Sequence, residues 1–409
     1  MPTRQDNRRR PRRNKPAERP PTREPVVDTT PVDDSELESR GGILQVLPDG
    51  YGFLRARGYV ASPDDIYVAR SQIQQLGLRS GDRVTGLVRP PKAGGKESYA
   101  ALVRVEEVDG GAPVGLAERP SFDELPAPSP NERVTLEHAG GSASARLIDL
   151  LAPVGKGQRG LVVAPPKAGK TTVLREITAG ALANHPEIHL MVLLVDERPE
   201  EAFDWQETVG DDAEVIASTF DRPLPEHLDT SELVLERAKR LVERGRDVMI
   251  VLDSLTRMAR TYNSAAPSSG RILSGGVEAS ALDGPKLFFG SARNIKGDGS
   301  LTIVASCLVE TGSKMDEVIF EEFKGRGNME VRLDRALAER RLFPAINVEP
   351  TGTRKEERLV GAEELAEIWK LRRALHSIPP HEAIQVLLRN VEQTTTNAEF
   401  LARVAERTS

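Results

Sequence analysis

The chain has 409 residues, with 56 Lys and Arg against 62 Asp and Glu, a formal net charge of −6. Hydrophobic residues are 38% and charged residues 29%, a globular balance, and the length suits roughly two or three domains. The longest purely apolar run, Leu190–Val195, falls well short of the about 20 residues a bilayer-spanning helix needs. The single Cys307 excludes an intrachain disulfide framework and a cysteine-rich metal centre. No apolar stretch follows the basic N-terminus, so the secretory-signal pattern is missing and a cytoplasmic setting is expected.

Residues 1–40 read as a disordered tail, rich in Arg and Pro and then acidic. Pro2, Pro11, Pro16, Pro20, Pro21, Pro25 and Pro31 break it up, and it has no apolar periodicity. Residues 1–25 carry a net +6, which leaves −12 for the rest. The block around Arg8–Arg13 is a flexible cation, either a weak phosphate contact or a solubilising tail. Asp28, Asp33, Asp34, Glu36 and Glu38 follow it.

Residues 41–109 change character. Leu44–Leu47, Tyr51–Arg55, Asp65–Val68, Arg83–Val88 and Tyr99–Val105 are short strand patterns. Turn signals such as Pro48-Asp49-Gly50, Ser80-Gly81-Asp82 and Gly94-Gly95 separate them. This predicts a small OB or cold-shock-like barrel. Period-two alternation puts Tyr51, Phe53 and Arg55 on one strand face. On an exposed face, these aromatics and the cation form a base-stacking platform; the other arrangement turns Tyr51 and Phe53 into the barrel core.

Residues 110–133 form a linker, extended or stiffened by Pro113, Pro120, Pro126, Pro128 and Pro130. Residues 134–409 then alternate strand runs with helical stretches. The strand candidates are Gly160–Val163, Leu190–Val195, Val215–Ala217, Val248–Leu252 and Leu301–Ala305; Ser231–Arg244 reads as an amphipathic helix. The alternation predicts an α/β domain with a mostly parallel, doubly covered sheet.

The sharpest motif is Ala164-Pro165-Pro166-Lys167-Ala168-Gly169-Lys170-Thr171, set between an apolar strand and a helical run from Thr172. That is the setting of a phosphate-binding loop, although Ala164 stands where the general pattern has Gly. Backbone N–H groups and the helix dipole favour the anion there. Lys170 would reach the β and γ phosphates, and the Thr171 hydroxyl would face Mg²⁺. The buried run Val248–Leu252 ends in Asp253, a carboxylate placed to hold the same metal. A second strand ends in Asp196-Glu197-Arg198-Pro199. Glu197 fits either a polariser of attacking water or an acid at a helix start. Pro267–Gly276 and Glu310–Met315 read as loops at the same sheet end, able to line a channel.

Together these stretches resemble the bacterial Rho family of transcription termination factors. The resemblance runs from about Gly41 to the C-terminus. It is carried by Asp49–Arg55, Pro63–Val68, Gly157–Gly160, Val163–Thr171, Asp196–Glu201, Ser274–Val277, Thr311–Glu317, Glu322–Gly325 and Gly352–Glu357. It implies a ring hexamer of RecA-like P-loop ATPase domains, each with an N-terminal RNA-binding barrel. The implied activity is ATP-dependent translocation on single-stranded, cytidine-rich RNA, with release of RNA from the RNA polymerase elongation complex. By match to the family's motifs, Gly50, Tyr51, Gly52, Phe53, Leu54, Arg55, Asp65, Ile66, Tyr67, Glu97, Ser98 and Tyr99 line the primary RNA site. Arg271, Ile272 and Lys314 belong to the secondary, channel site. ATP is met by Gly155, Lys156, Gly157, Gln158, Arg159, Gly160, Lys167, Ala168, Gly169, Lys170, Thr171, Thr172 and Arg198, with Phe343 on the adenine. Glu197 is the implied catalytic base, and Arg354 and Arg341 reach the ATP of the adjacent subunit. The chain departs from many relatives in lacking a small helical subdomain before the barrel, and in carrying Arg271 and Arg326.

Overall fold

A computed structural model describes residues 37–91, 99–267, 271–297 and 299–408. The Arg-rich tail, the Gly94-Gly95 turn, Glu97, Ser98 and part of the Pro267–Gly276 loop lie outside the described residues.

The barrel opens with β1 (Glu38–Val46), β2 (Gly52–Arg55) and β3 (Ile66–Val68). A helix, α1 (Arg70–Leu76), precedes β4 (Arg83–Arg89) and β5 (Ala100–Val108). The strands close in the order β1-β2-β3-β5-β4. Leu44, Leu54, Ile66, Val68, Val84 and Val108 fill the interior. Strand β1 starts at Glu38, so the expected boundary at residue 41 falls inside it. The sequence reading also missed α1, whose apolar content is slight. It is held by Gln72, which accepts from Ala69 N at 3.2 Å, and ends at left-handed Gly77.

The segment after the barrel is packed rather than extended. Leu116 joins the barrel core, and Phe122 is fully buried in the core of the second domain. The Phe122 N–H donates to Glu243 at 2.8 Å, and Arg119 pairs with Asp82 at 2.6 Å. Two buried apolar side chains outweigh the proline content that suggested a spacer.

The second domain begins with β6 (Arg133–Val134), α2 (Ala143–Leu151) and β7 (Val154–Gly155). There follow β8 (Arg159–Ala164), α3 (Lys170–Asn184), β9 (His189–Glu197), α4 (Pro199–Val209), β10 (Glu214–Thr219) and α5 (Leu224–Val242). Next come β11 (Asp247–Asp253), α6 (Leu255–Ala265), β12 (Ile272–Leu273), β13 (Val277–Glu278), α7 (Asp283–Gly290), β14 (Arg293–Asn294) and β15 (Ser300–Leu308). The chain finishes with α8 (Lys314–Lys324), β16 (Met329–Arg332), α9 (Arg335–Glu339), β17 (Gly352–Thr353), α10 (Ala362–His376), α11 (Pro380–Val391) and α12 (Asn397–Thr408). Helix α5 starts seven residues before the expected Ser231, at a turn made by Pro223 and Pro225.

The main sheet runs β10-β9-β11-β15-β8-β16-β17, with β14 beside β15. Its neighbours from β10 to β16 are parallel, and only β14 and β17 run antiparallel. Strand alternation feeds two cores. Val162, Val192 and Val251 pack toward α2, α3 and the C-terminal helices, while Leu161, Leu193 and Ile250 pack toward α5 to α8. Both faces are covered, so the strands are apolar throughout. No helix among the described residues is long and apolar enough to cross a membrane.

Candidate nucleotide and RNA sites

The phosphate loop sits where a parallel sheet places ligands, at the C-terminal end of β8. Ala164 is the last strand residue, paired with Leu308 and fully buried. Its φ lies outside the left-handed region, so a glycine is not needed there. The turn instead uses left-handed Lys167 and Gly169, with Gly169 capping α3. Phe343 lies just beyond the loop, about van der Waals distance from where a Gly169 side chain would start, and is half exposed. An aromatic face beside the loop is what an adenine would stack on.

Lys170, the first residue of α3, donates to Asp253 Oδ1 and stands 4.0 Å from Glu197 Oε2. Thr171 Oγ1 donates to Asp253 Oδ2 at 3.3 Å. Asp253 is fully buried and also accepts from Ser306 Oγ at 2.8 Å. Glu197 is almost fully buried and accepts from Arg257 Nη2 at 3.0 Å. Burial pushes the Glu197 carboxyl up to about 7; Arg257 and Lys170 oppose the rise, and Asp253 and Glu201 add to it. Carboxylate oxygens of Glu197, Glu201 and Asp253 lie within 4.8 Å of one another, a donor set that fits a hard divalent cation. Arg198 is exposed at the N-cap of α4 beside them. The strand geometry thus joins Lys170, Thr171, Asp253 and Glu197, which the sequence holds far apart. Arg257 and Ser306 were missed. Both lie in unremarkable runs, and only the fold brings them to the acids.

Gly155–Gly160 stand apart from the phosphate loop. These residues occupy β7 and the start of β8, at the opposite end of the strand from the phosphate loop, about 17 Å away at strand rise. Lys156 is taken up by Glu132, by Asp247 at 2.9 Å and by Glu187 at 3.3 Å, so its charge is not directed at a phosphate. Gln158 donates to Asn328 at 2.7 Å, and the Arg159 guanidinium donates to the Ala292 and Arg326 carbonyls. The segment cannot touch the nucleotide of its own chain.

Arg354 stands at that same far end. Its N–H donates to Asn328 O at 2.8 Å, and its charge, after burial and Arg293, helps depress the Arg159 pKa. It is exposed and out of reach of its own loop. Arg341 differs: it is two residues from Phe343, at the phosphate-loop end. The two arginines expected to reach an adjacent subunit's ATP thus stand at opposite ends of the sheet within one chain.

On the barrel, Leu54 and Ile66 point inward and are fully buried, so they cannot meet RNA with their side chains. Their neighbours point outward and cluster. Phe53 lies 4.9 Å from Tyr99, 6.0 Å from Tyr51 and 6.1 Å from Tyr67, between ring centroids, and Arg55 lies 5.8 Å above it. Tyr51 and Tyr67 are mostly buried under this layer, while Phe53 and Tyr99 are partly exposed. Arg55 donates to Gln45 at 2.8 Å through Nε and pairs with buried Asp65. Asp65 also accepts from Ser62 Oγ at 3.0 Å. Phe53, Arg55, Ser62, Pro63, Asp65 and Tyr99 line a cleft of about 310 Å³. Gly50, with φ 89°, makes the turn before it, and Gly52 sits where any Cβ would strike Gln45 O at 2.6 Å.

The two channel loops also meet. The β12–β13 hairpin carries Arg271 at its foot and Ile272, which is 62% exposed. Gly275 packs against the backbone of Lys314, where a Cβ would approach within 2.7 Å. Arg260 and Thr311 hold Asp316, in the same first turn of α8, through contacts of 2.8 and 2.6 Å.

Comparison with known proteins agrees with this division. A family profile described as Rho termination factor, RNA-binding domain, matches residues 40–114. One described as ATP synthase alpha/beta family, nucleotide-binding domain, matches residues 144–351. The chain is 55% identical over 377 residues to transcription termination factor Rho of Streptomyces lividans, covering 92% of this chain and 53% of that protein. It is 54% identical over 367 residues to Rho of Pseudomonas aeruginosa, covering 88% and 87%. Among solved structures, a prototypical ATPase from the type III secretion system of pathogenic bacteria matches with TM-score 0.58 and 24% identity, over 70% of this chain and 88% of that one. That last likeness is one of fold.

Proposed function

The chain belongs to the transcription termination factor Rho family, and from that premise we propose that it is an RNA-dependent ATPase that moves along nascent RNA and releases it from RNA polymerase. The observation that carries this reading is the presence of two sites in one chain. One is an outward aromatic cleft on a closed barrel. The other is a phosphate loop with two buried carboxylates at the end of a parallel sheet.

The mechanism follows from these side chains. Single-stranded, cytidine-rich RNA stacks on Phe53 and Tyr99, while Arg55 and Asp65 present a polar edge to the base. The triphosphate settles on the N-terminus of α3, and Lys170 exchanges its carboxylate partner for phosphate oxygens. Thr171 and Asp253 would hold Mg²⁺, which when bound offsets phosphate charge. Glu197, fixed by Arg257, takes the proton of a water whose oxygen attacks the γ-phosphorus; the bond from that phosphorus to the β-γ bridging oxygen breaks, releasing ADP and phosphate. Arg354, placed at the far end of the sheet from its own loop, offsets developing charge on the next subunit's ATP. Hydrolysis therefore requires a ring, which we take to be a homohexamer working in the cytoplasm. The touching channel loops, with Arg271, Ile272 and Lys314, grip the RNA backbone within it.

The test is steady-state ATP hydrolysis without nucleic acid, with cytidine-rich RNA and with DNA of the same sequence. Stimulation by RNA alone, abolished by Lys170→Ala, is the expected result. High RNA-independent turnover would instead fit another ring ATPase. RNA binding without turnover under conditions where the ring has assembled would fit a scaffold.

A further inference from the structure

Among the described residues, Asp253 has three side-chain hydrogen-bond partners: Lys170 and Ser306 on Oδ1, and Thr171 on Oδ2. They differ in what nucleotide binding does to them. Lys170 is on the first turn of a helix, at the end of a long flexible stem, and its ammonium is needed by the phosphates. The Thr171 hydroxyl is needed by the metal. Ser306 has no such second task. It lies on β15 one residue beyond the Leu252–Ala305 pair, directly across from Asp253, and both residues are fully buried. Its backbone is also paired on the other side with Val162 of β8. A hydroxyl fixed between two sheet neighbours cannot follow the phosphate.

We infer that Ser306 is a positioning residue for Asp253. It is the one partner that keeps the carboxylate oriented once Lys170 and Thr171 have turned to the nucleotide. Without it, the carboxylate is free to follow the Lys170 ammonium and close an ion pair that competes with the cation. The site then loses metal affinity while keeping its affinity for the bare nucleotide. This inference rests on the nucleotide-site reading above and adds to it a residue outside the family's motifs.

The experiment is a Mg²⁺ titration of the binding of a fluorescent ATP analogue to the full chain. It compares the wild type, Ser306→Ala, and the equal-volume pair Ser306→Thr and Ser306→Val. Partners of metal-holding groups typically contribute about 10–100-fold in metal affinity. Ser306→Ala and Ser306→Val are expected to raise the half-saturating Mg²⁺ at least about tenfold, and Ser306→Thr to stay within about twofold of wild type. Analogue binding in EDTA should be unchanged in all of them. An unchanged Mg²⁺ midpoint in Ser306→Val overturns the inference. So does a loss of metal-free binding that parallels a fall in melting temperature, since that marks a packing defect. If the wild type itself shows no Mg²⁺-dependent binding, or Asp253→Asn leaves it intact, the nucleotide-site reading fails first.

Discussion

Phe53→Ala separates a stacking role from a folding role. Phe53 is the hub of the outward layer, within 4.9–6.1 Å of Tyr99, Tyr51 and Tyr67, yet the strand buries Leu54 rather than Phe53. Removing the ring deletes one stacking surface, about 1–3 kcal/mol of binding per base. That corresponds to about a 5- to 150-fold weaker Kd. The cost to folding is smaller, about 1 kcal/mol for the lost ring-edge contacts. Leu54→Ala is the control: it empties a core position, and about 2–5 kcal/mol of barrel stability should go with it. Fluorescence anisotropy with a labelled cytidine oligonucleotide measures the first effect, and circular dichroism melting the second. Wild-type affinity in a folded Phe53→Ala protein would refute the platform. So would an affinity loss that only tracks unfolding.

Three more outcomes are expected. Glu197 must be ionised to accept a proton, so turnover should rise with pH through about 7 and level off above it. Arg257→Ala removes a cation that holds this carboxyl down and should move the rising limb to higher pH; a stationary limb would mean that Glu197 does not set it. Lys170→Ala and Arg354→Ala should each be inactive alone, but rings mixed from the two should regain activity, because some interfaces pair an intact loop with an intact arginine. Absence of any recovery on mixing would place Arg354 outside the reaction. Burial raises the Asp149 carboxyl to about 6 against Arg133 and two backbone N–H donors, so its folded pKa lies above the unfolded value. The group's contribution is therefore most favourable below about pH 4 and is lost as pH rises through about 6, costing about 3 kcal/mol when fully ionised. Asp149→Asn keeps acceptors for Leu136 and Glu137, and its stability advantage over wild type should widen from pH 4.5 to 7.5; parallel melting curves would contradict this.

Much of the fold was legible because the periodicities are clean. The parallel strands appear as apolar runs because both sheet faces are covered, and the phosphate loop was readable from its setting despite Ala164. The barrel strands were legible too, but their facing was not. Alternation puts Tyr51, Phe53 and Arg55 together without saying whether that side is in or out; Leu54 and Ile66 in the core settle it. The linker misled because proline content is a local signal, whereas Phe122 is buried by contacts with α5 and its neighbours, distant in sequence. Arg257 and Ser306 carried no signal because their significance lies in a strand order that places β9, β11 and β15 side by side.

The same strand order sets Gly155–Gly160 apart from the phosphate loop of their own chain. Strand β8 has the phosphate loop at one end and Gly155–Arg159 at the other, and β16 and β17 carry the register so that Arg354 lies with the latter. A motif list treats both ends as one site because they are close in sequence, only a few residues apart. Geometry makes them two faces. One face presents Lys170, Glu197, Asp253 and Phe343; the other presents Arg159, Arg293 and Arg354 as a cationic edge. On the function proposed above, a head-to-tail neighbour would bring its cationic edge to this chain's phosphate-loop face, and repeating that contact closes a ring or extends a filament. On that reading, hydrolysis depends on assembly because of the direction of the strands rather than because of any single motif.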